Sequence, residues 1–593
     1  MNKRKKSMKE IVRQLLPFMR PYKWGIITAL LMVVITNICL ALAPTVEGMV
    51  TTVLTKNVAD IANKIPGAGI DFTRIIEIII MLLIIYIVKT VAQVILTFCL
   101  THSIQNTMKD VRNAIQDKIS KLPVRYFDKN QYGDILSRIT NDVDTVSNAL
   151  QQTLTQVISG VLSIVLAFIM MFMINVVMAL VVFILIPIAL IITKIIVSRS
   201  QKRFTKQQKS LGELNGFITK MYTGHRELMI YNQQEQAMNR FMEINETLRS
   251  NANSAQFMSS MISPLISLVT YLLIGSIAVI GGIFAINGTL QIGQIQAFVR
   301  YIWQINDPIS QVSNLSSQIQ TAFAAMERVI EILQEKEEET ITSPHRIEKV
   351  EGNVSIKEVT FGYDEKLILK GIDIEAKSGQ MIAVVGPTGS GKTTLINLLM
   401  RFYDVTSGSI KIDGIDIREM DREYLRSIFA MVLQDTWLFS GRIYDNIRYG
   451  RLEARKDEII DAAKLANVHH FIRTLPDGYN HEINEDGSNI SQGEKQLLTI
   501  ARAILKNPQI LILDEATSSV DTRVEKMLQE AMHNVMHGRT SFVIAHRLST
   551  IKNADSILVM RDGNIVEQGN HDTLLKQEGF YAQLYNSQFS EQE

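Results

Sequence analysis

The sequence predicts an α-helical transmembrane domain of six spans, with long helical extensions beyond the bilayer, fused to a soluble α/β domain. Three observations predict it. Up to about Gln334, apolar stretches recur at the roughly 20-residue length that crosses a bilayer. From Val354 onward, short apolar runs suited to buried strands alternate with helical patterns. Between them lies Glu335-Lys336-Glu337-Glu338-Glu339-Thr340, a charged stretch that cannot be buried and so marks a boundary. The expected organisation is a membrane domain over 1–335, a linker over 336–345 and the α/β domain over 346–593.

The spans fall near Trp24–Val50, Ile75–Leu100, Leu154–Asn175, Val176–Val197, Phe257–Ile286 and Ile292–Val312. Asn175-Val176 and Asn287-Gly288-Thr289 read as tight hairpins, whereas Thr101–Thr153 and Ser198–Gln256 are long, helical in pattern and rich in Lys and Arg. Positive charge collects on the cytoplasmic side, so both long connectors, the basic start Met1-Asn2-Lys3-Arg4-Lys5-Lys6 and the C-terminal domain are expected inside a cytoplasmic membrane, with both termini cytoplasmic. A few lysines beside a span are a topology signal rather than a nucleic-acid site. No leader cleavage pattern follows them, so the first run is read as a retained span. The two cysteines of the 593-residue chain, Cys39 and Cys99, lie in apolar runs, which excludes a disulfide framework or a cysteine metal cluster. No proline or glycine cluster separates Cys99 from Lys121, and at ~1.5 Å per residue such helices reach tens of ångströms past the bilayer. The runs Lys121–Arg138 and Gly212–Glu227 resemble the two coupling segments of ABC exporters of the multidrug type, the alternative being solvated surface helices with ordinary turns.

The chemistry begins where the strand Met381–Val385 runs into Gly386-Pro387-Thr388-Gly389-Ser390-Gly391-Lys392-Thr393, followed by Thr394. This is G-x-x-x-x-G-K-[ST] between a strand and a helix. Glycines let the backbone curl so that N–H groups surround phosphate oxygens, and the helix directs its positive end at them. Lys392 neutralises the β- and γ-phosphates of ATP, and Thr393 ligates Mg²⁺. A second apolar strand, Ile510–Leu513, ends in two carboxylates. Asp514 is suited to hold Mg²⁺ and Glu515 to orient and deprotonate an attacking water.

In their order these parts resemble the ABC ATPases, and with the six spans the whole chain resembles an ABC exporter half-transporter of the multidrug type. The resemblance implies an ABC nucleotide-binding domain with further roles. Tyr363 of Phe361-Gly362-Tyr363 would stack on adenine, and Gln434 would join Mg²⁺ to the coupling segments. Ser519-Val520-Asp521 would form the loop between two ATPase domains, and His546 would contact the γ-phosphate. The family's Leu-Ser-Gly-Gly-Gln signature, which closes over ATP held by a partner chain, stands here as Ile490-Ser491-Gln492-Gly493-Glu494. Glu494 either brings an acid towards a polyphosphate, which is unfavourable, or faces away and supports its helix. A changed signature beside intact Lys392, Asp514, Glu515 and His546 resembles the EfrD-type subunit of the EfrCD-type heterodimeric exporters of Gram-positive bacteria. That implies a homologous but non-identical, EfrC-like partner with one degenerate ATP site, and hydrophobic or cationic drug-like substrates taken from membrane lipid.

Within the spans, Met32, Met170, Met171, Met173, Met258 and Met261, with Phe168, Phe172, Phe257 and Phe298, offer the soft apolar surface of promiscuous sites, or simply pack. The charges Glu77, Lys89 and Arg300 carry more information, because unpartnered charges in a bilayer are costly and tend to face cavities. A lipid flippase shares this architecture, and an ATP-gated channel or regulatory subunit is the reading from another class.

Overall fold

Each long apolar run folds as helix, since in lipid every backbone polar group must be satisfied within its own segment. The computed structural model describes residues 8–339, 341, 343–363, 366–433, 436–485, 487–514, 522–545 and 548–588. The chain divides into two units, Met1–Lys121 with Asn130–Lys336, and Leu122–Lys129 with Glu337–Glu593.

The first unit is helical. Its elements are α1 (Met8–Met19), α2 (Lys23–Ala62), α3 (Phe72–Ser120), and, after the second unit's short α4 (Val124–Lys129), α5 (Tyr132–Ser137) and α6 (Val143–Ile174). A π-helical turn, Arg138–Asp142, joins the last two. The chain continues through α7 (Val176–Thr223), α8 (His225–Ile230), α9 (Gln234–Ser260), α10 (Ile262–Ile286) and α11 (Ile292–Gln334). Polar caps set the breaks. Asp71 accepts the Arg74 N–H at the start of α3, Asn175 accepts the Met178 N–H at the start of α7, and Gln291 with Gln294 closes a capping box on α11. Among the described residues, four stretches are long and apolar enough to cross a membrane: Arg13–Ala62, Phe72–Ser120, Tyr132–Ile174 and Gln234–Ile286. The fourth and sixth expected spans lie in α7 and α11. In α11 the apolar signal is diluted by Gln294, Gln296, Arg300, Gln304 and Asp307, a composition suited to lining a cavity.

The helices pack through small residues and buried polar pairs. A Cβ on Gly293 would sit 1.7 Å from the Gly48 carbonyl oxygen, so α2 and α11 touch backbone to backbone, as membrane helices do where glycine allows it. Tyr301, fully buried, donates to the Ala41 carbonyl at 2.6 Å. Met171 and Phe298, two of the candidate adaptable surface residues, are fully buried in the interhelical core instead. Near the end of α11, Arg328 grips the buried Asp142 of the π turn with two nitrogens, and Arg138 lies 3.4 Å from Glu331.

Among the described residues the second unit holds three sheets. An antiparallel sheet orders β1 (Val354–Phe361), β2 (Leu369–Ala376), β4 (Ser407–Ile412) and β5 (Ile415–Asp416) as β2-β1-β4-β5. The larger sheet comprises β3 (Met381–Val385), β6 (Phe429–Val432), β9 (Ile510–Asp514), β10 (Thr540–Ile544), β11 (Ser556–Arg561) and β12 (Asn564–Gly569), in the order β12-β11-β3-β10-β9-β6. All its neighbours are parallel except β11 and β12. A two-stranded ribbon pairs β7 (Gly441–Arg442) with β8 (Glu482–Ile483). The near-continuous burial of β3, β9 and β10 is that of strands covered on both faces. Segment α4 belongs to this unit: the Arg125 guanidinium donates to the Tyr363 carbonyl at 3.1 Å, and the Tyr403 hydroxyl donates to Asp128. Desolvation and that carboxylate push the Tyr403 phenol well above its usual range.

Candidate active site

Parallel pairing brings the chemistry to one edge of the large sheet. In register, Val384 of β3 faces Ile544 of β10, which faces Asp514 of β9. The loop Gly386–Gly391 therefore leaves β3 beside the carboxylate that ends β9, the crevice where open α/β sheets hold ligands. The helix α12 (Lys392–Leu399) starts directly after the loop, with Gly391 at its N-cap.

The glycines are forced by the backbone. Gly386 has φ +153°, and a Cβ there would lie 2.3 Å from the Met560 carbonyl oxygen. Gly391 has φ +108°, and its Cβ would meet Leu369 at 2.7 Å. The Lys392 ammonium turns back over the loop and donates to the carbonyls of Gly386 at 2.7 Å and Pro387 at 3.0 Å. Burial lowers its pKa, and the charge of Asp514 opposes that shift. Ser390 is buried and its hydroxyl has no partner. An orphaned hydroxyl inside a glycine cradle at a helix start fits a phosphate oxygen. Thr388, Gly389, Gly391, Lys392, Thr393, Thr394 and Asp514 line a cavity of about 720 Å³. The Thr393 hydroxyl and Asp514 carboxylate are the hard oxygen donors that Mg²⁺ prefers alongside nucleotide phosphates.

The structure also gathers residues that sequence reasoning missed. Lys366, Lys370 and Asp562 line the same cavity from the loop before β2, from β2 itself and from the β11–β12 turn. Only the fold brings these segments to the phosphate loop, through the backbone contacts of Gly563 and Met560 with β2 and the loop. Tyr363 packs its ring edge-on against Tyr403 and Phe361, with centroids at 4.9 and 5.1 Å. Its hydroxyl accepts from Asn397 at 3.2 Å and lies 3.5 Å from the Thr394 hydroxyl. Gln434, Glu515, Ser519, Val520, Asp521 and His546 lie outside the described residues.

The altered signature opens the helix Gln492–Lys506, with Ser491 at its N-cap. Glu494 closes a capping box: its carboxylate accepts the Ser491 N–H at 2.9 Å and the Ser491 hydroxyl at 2.7 Å. An acid in the first helical turn is also favoured by the helix dipole. Glu494 thus supports its own helix and at the same time holds the serine hydroxyl. Gln492 lies 3.4 Å from the Thr436 hydroxyl, and Gly493 is buried. None of Ser491, Gln492, Gly493 and Glu494 lines the cavity of the phosphate loop.

In the first unit the three charges singled out above separate. Glu77 pairs with Arg74 at 2.6 Å at the exposed start of α3. The Lys89 ammonium lies 5.9 Å from the centre of the Tyr86 ring. Arg300 pairs at 3.3 Å with Glu47, which also accepts the Tyr86 hydroxyl at 2.7 Å. Glu47 and Asp307 were not singled out from the sequence, although each is an acid inside an expected span, the same signal that marked Arg300.

Residues 26–309 match the family described as ABC transporter transmembrane region, and residues 369–518 match the one described as ABC transporter. A Mycobacterium bovis protein named fatty acid ABC transporter ATP-binding/permease protein is 42% identical over 88% of this chain and 83% of its own length. A Syntrophus aciditrophicus protein named ATP-dependent lipid A-core flippase is 35% identical, covering 86% of this chain and 85% of its own. A Bacillus subtilis protein named putative multidrug export ATP-binding/permease protein YgaD is 34% identical, covering 98% and 99%. The solved structure of a bacterial Atm1-family ABC exporter with ATP bound superposes with a TM-score of 0.77 at 25% identity, covering 96% of this chain and 99% of that one.

Proposed function

The chain belongs to the ABC transporter family, an exporter half with its membrane domain fused to its ATPase, and from that premise we propose that it drives efflux of amphiphilic compounds across the cytoplasmic membrane as one subunit of a heterodimer. The observation that carries the ATPase part is the glycine cradle around the orphaned Ser390 hydroxyl, with Lys392 folded over it. Lys392 leaves the two loop carbonyls to meet the β- and γ-phosphates. Thr393 and Asp514 would hold Mg²⁺, which when bound screens the phosphate charge. Glu515 is assigned to align and deprotonate the attacking water, His546 to contact the γ-phosphate, Gln434 to join the metal site to the coupling segments and Tyr363 to stack on adenine.

The unlike partner rests on the Ser491–Glu494 pair. A serine hydroxyl that already donates to a carboxylate of its own helix is poorly free to address the γ-phosphate on a partner's loop, so this chain supplies the weak closing segment. The strong closing segment for its own phosphate loop then comes from a homologous, EfrC-like chain. The basic connectors support a cytoplasmic position for both termini. ATP favours association of the two ATPase domains, and the segments 121–138 and 212–227 pass that change to the helices. Co-purification from the native membrane followed by amphiphile-stimulated ATPase assays tests this. A second, different half-transporter in stoichiometric yield supports it, and full stimulated activity from this chain alone refutes it.

A further inference from the structure

The transmembrane unit contains a cavity of about 600 Å³ among α2, α3, α6 and α11. Its walls carry hydroxyls and amides, including Ser163 with Gln304 at 3.1 Å, and three charged side chains, Glu47, Arg300 and Asp307. The charges are not equivalent. Glu47 and Arg300 form a pair whose acid is further satisfied by Tyr86, so together they contribute no net charge. Asp307 is exposed to the cavity and has no partner among the described residues. Lys89 is not among the lining residues. Among its described lining residues the cavity therefore carries two acids against one base. Trp303 lines it one helical turn before Asp307, so carboxylate and indole share a face of α11.

An unpaired carboxylate within a span is expensive unless a ligand or water compensates it. A carboxylate beside an indole is the combination that recognises an organic cation, through charge and through the negative face of the ring. An anionic amphiphile would meet two acids against one arginine already engaged. We propose that this cavity binds amphiphilic monocations, with Asp307 receiving the positive charge and Trp303 the apolar body, and that Asp307 sets the transporter's preference for cations over fatty acids. This rests on the exporter reading above for its role in transport, though not for binding.

The test uses the full-length transporter in nanodiscs and three probes: ethidium, a flat monocation; Nile red, flat and neutral; and palmitate, an anion. Asp307→Asn should weaken ethidium binding about tenfold, equivalent to ~1.4 kcal/mol, and change Nile red binding by less than about twofold. Asp307→Glu should restore most ethidium affinity, and palmitate should not displace ethidium. Unchanged ethidium binding in Asp307→Asn, an equal loss of both dyes, or displacement by palmitate overturns the proposal. ATP-driven uptake of the same probes into inside-out vesicles is measured in parallel. Asp307-dependent binding without uptake refutes the exporter reading and leaves the site standing. Uptake of Nile red or palmitate, with ethidium neither bound nor taken up, refutes the cation site and leaves the exporter standing.

Discussion

Replacing Glu494 with Gln tests the claim that this chain closes its partner's ATP site weakly. In the structure the Ser491 hydroxyl donates at 2.7 Å to the Glu494 carboxylate. A hydrogen bond to a charged acceptor contributes about 1.5–3 kcal/mol and one to a neutral acceptor about 0.5–1.5 kcal/mol. Glutamine keeps a neutral acceptor for the Ser491 N–H, so the capping box survives in weakened form. The hydroxyl, however, is released more easily by roughly 1–1.5 kcal/mol, about an order of magnitude in affinity at the composite site. The assay is nucleotide trapping in the purified pair with this chain's own phosphate loop silenced by Lys392→Ala, so that retained ATP reports the partner's loop. Glu494→Gln should retain nucleotide about tenfold more tightly, and adding Ser491→Ala should remove the gain. Unchanged retention, or a gain that survives Ser491→Ala, refutes the reasoning.

Three further outcomes follow from the geometry. Gly391→Ala places a Cβ 2.7 Å from Leu369 at a φ of +108°, so ATP affinity should fall at least about tenfold by fluorescent-nucleotide titration, while Gly389→Ala, with open space around it, should lose less. Lys392 must be cationic to meet phosphate, and burial lowers its pKa, so kcat/KM for ATP should begin its alkaline decline below the ordinary lysine range near ~10.4; a decline only above that range contradicts the assignment. Arg328→Met strands the buried Asp142 carboxylate at a cost of about 3 kcal/mol, whereas Arg328→Met with Asp142→Leu should recover much of it. Thermal unfolding in detergent should therefore give the single variant the lower midpoint.

The helical transmembrane region was legible because the bilayer leaves so few options: apolar length and the turns at Asn175 and Asn287 are written into the sequence. The glycine loop was legible because its backbone geometry demands glycines at fixed spacing. What stayed hidden depends on long-range packing. Lys366, Lys370 and Asp562 reach the loop only once β2 and β11 are placed beside it. The pairing of Glu47 with Arg300, 253 positions apart, needs α2 against α11, and their Gly48–Gly293 contact carries no pattern in either helix alone. Glu494 shows a third kind of limit. The sequence left open whether it meets a polyphosphate or supports its helix; the capping box with Ser491 shows the helix support, while its hold on the serine hydroxyl needed the side-chain geometry.

The most direct measurement of the central claim is ATP-driven accumulation of an amphiphilic dye in inside-out vesicles carrying this chain with its partner, compared with the same vesicles carrying Glu515→Gln in this chain. The account predicts concentrative uptake in the first and its loss, with ATP still bound, in the second. Accumulation that persists in Glu515→Gln, or that this chain sustains fully alone, would contradict it.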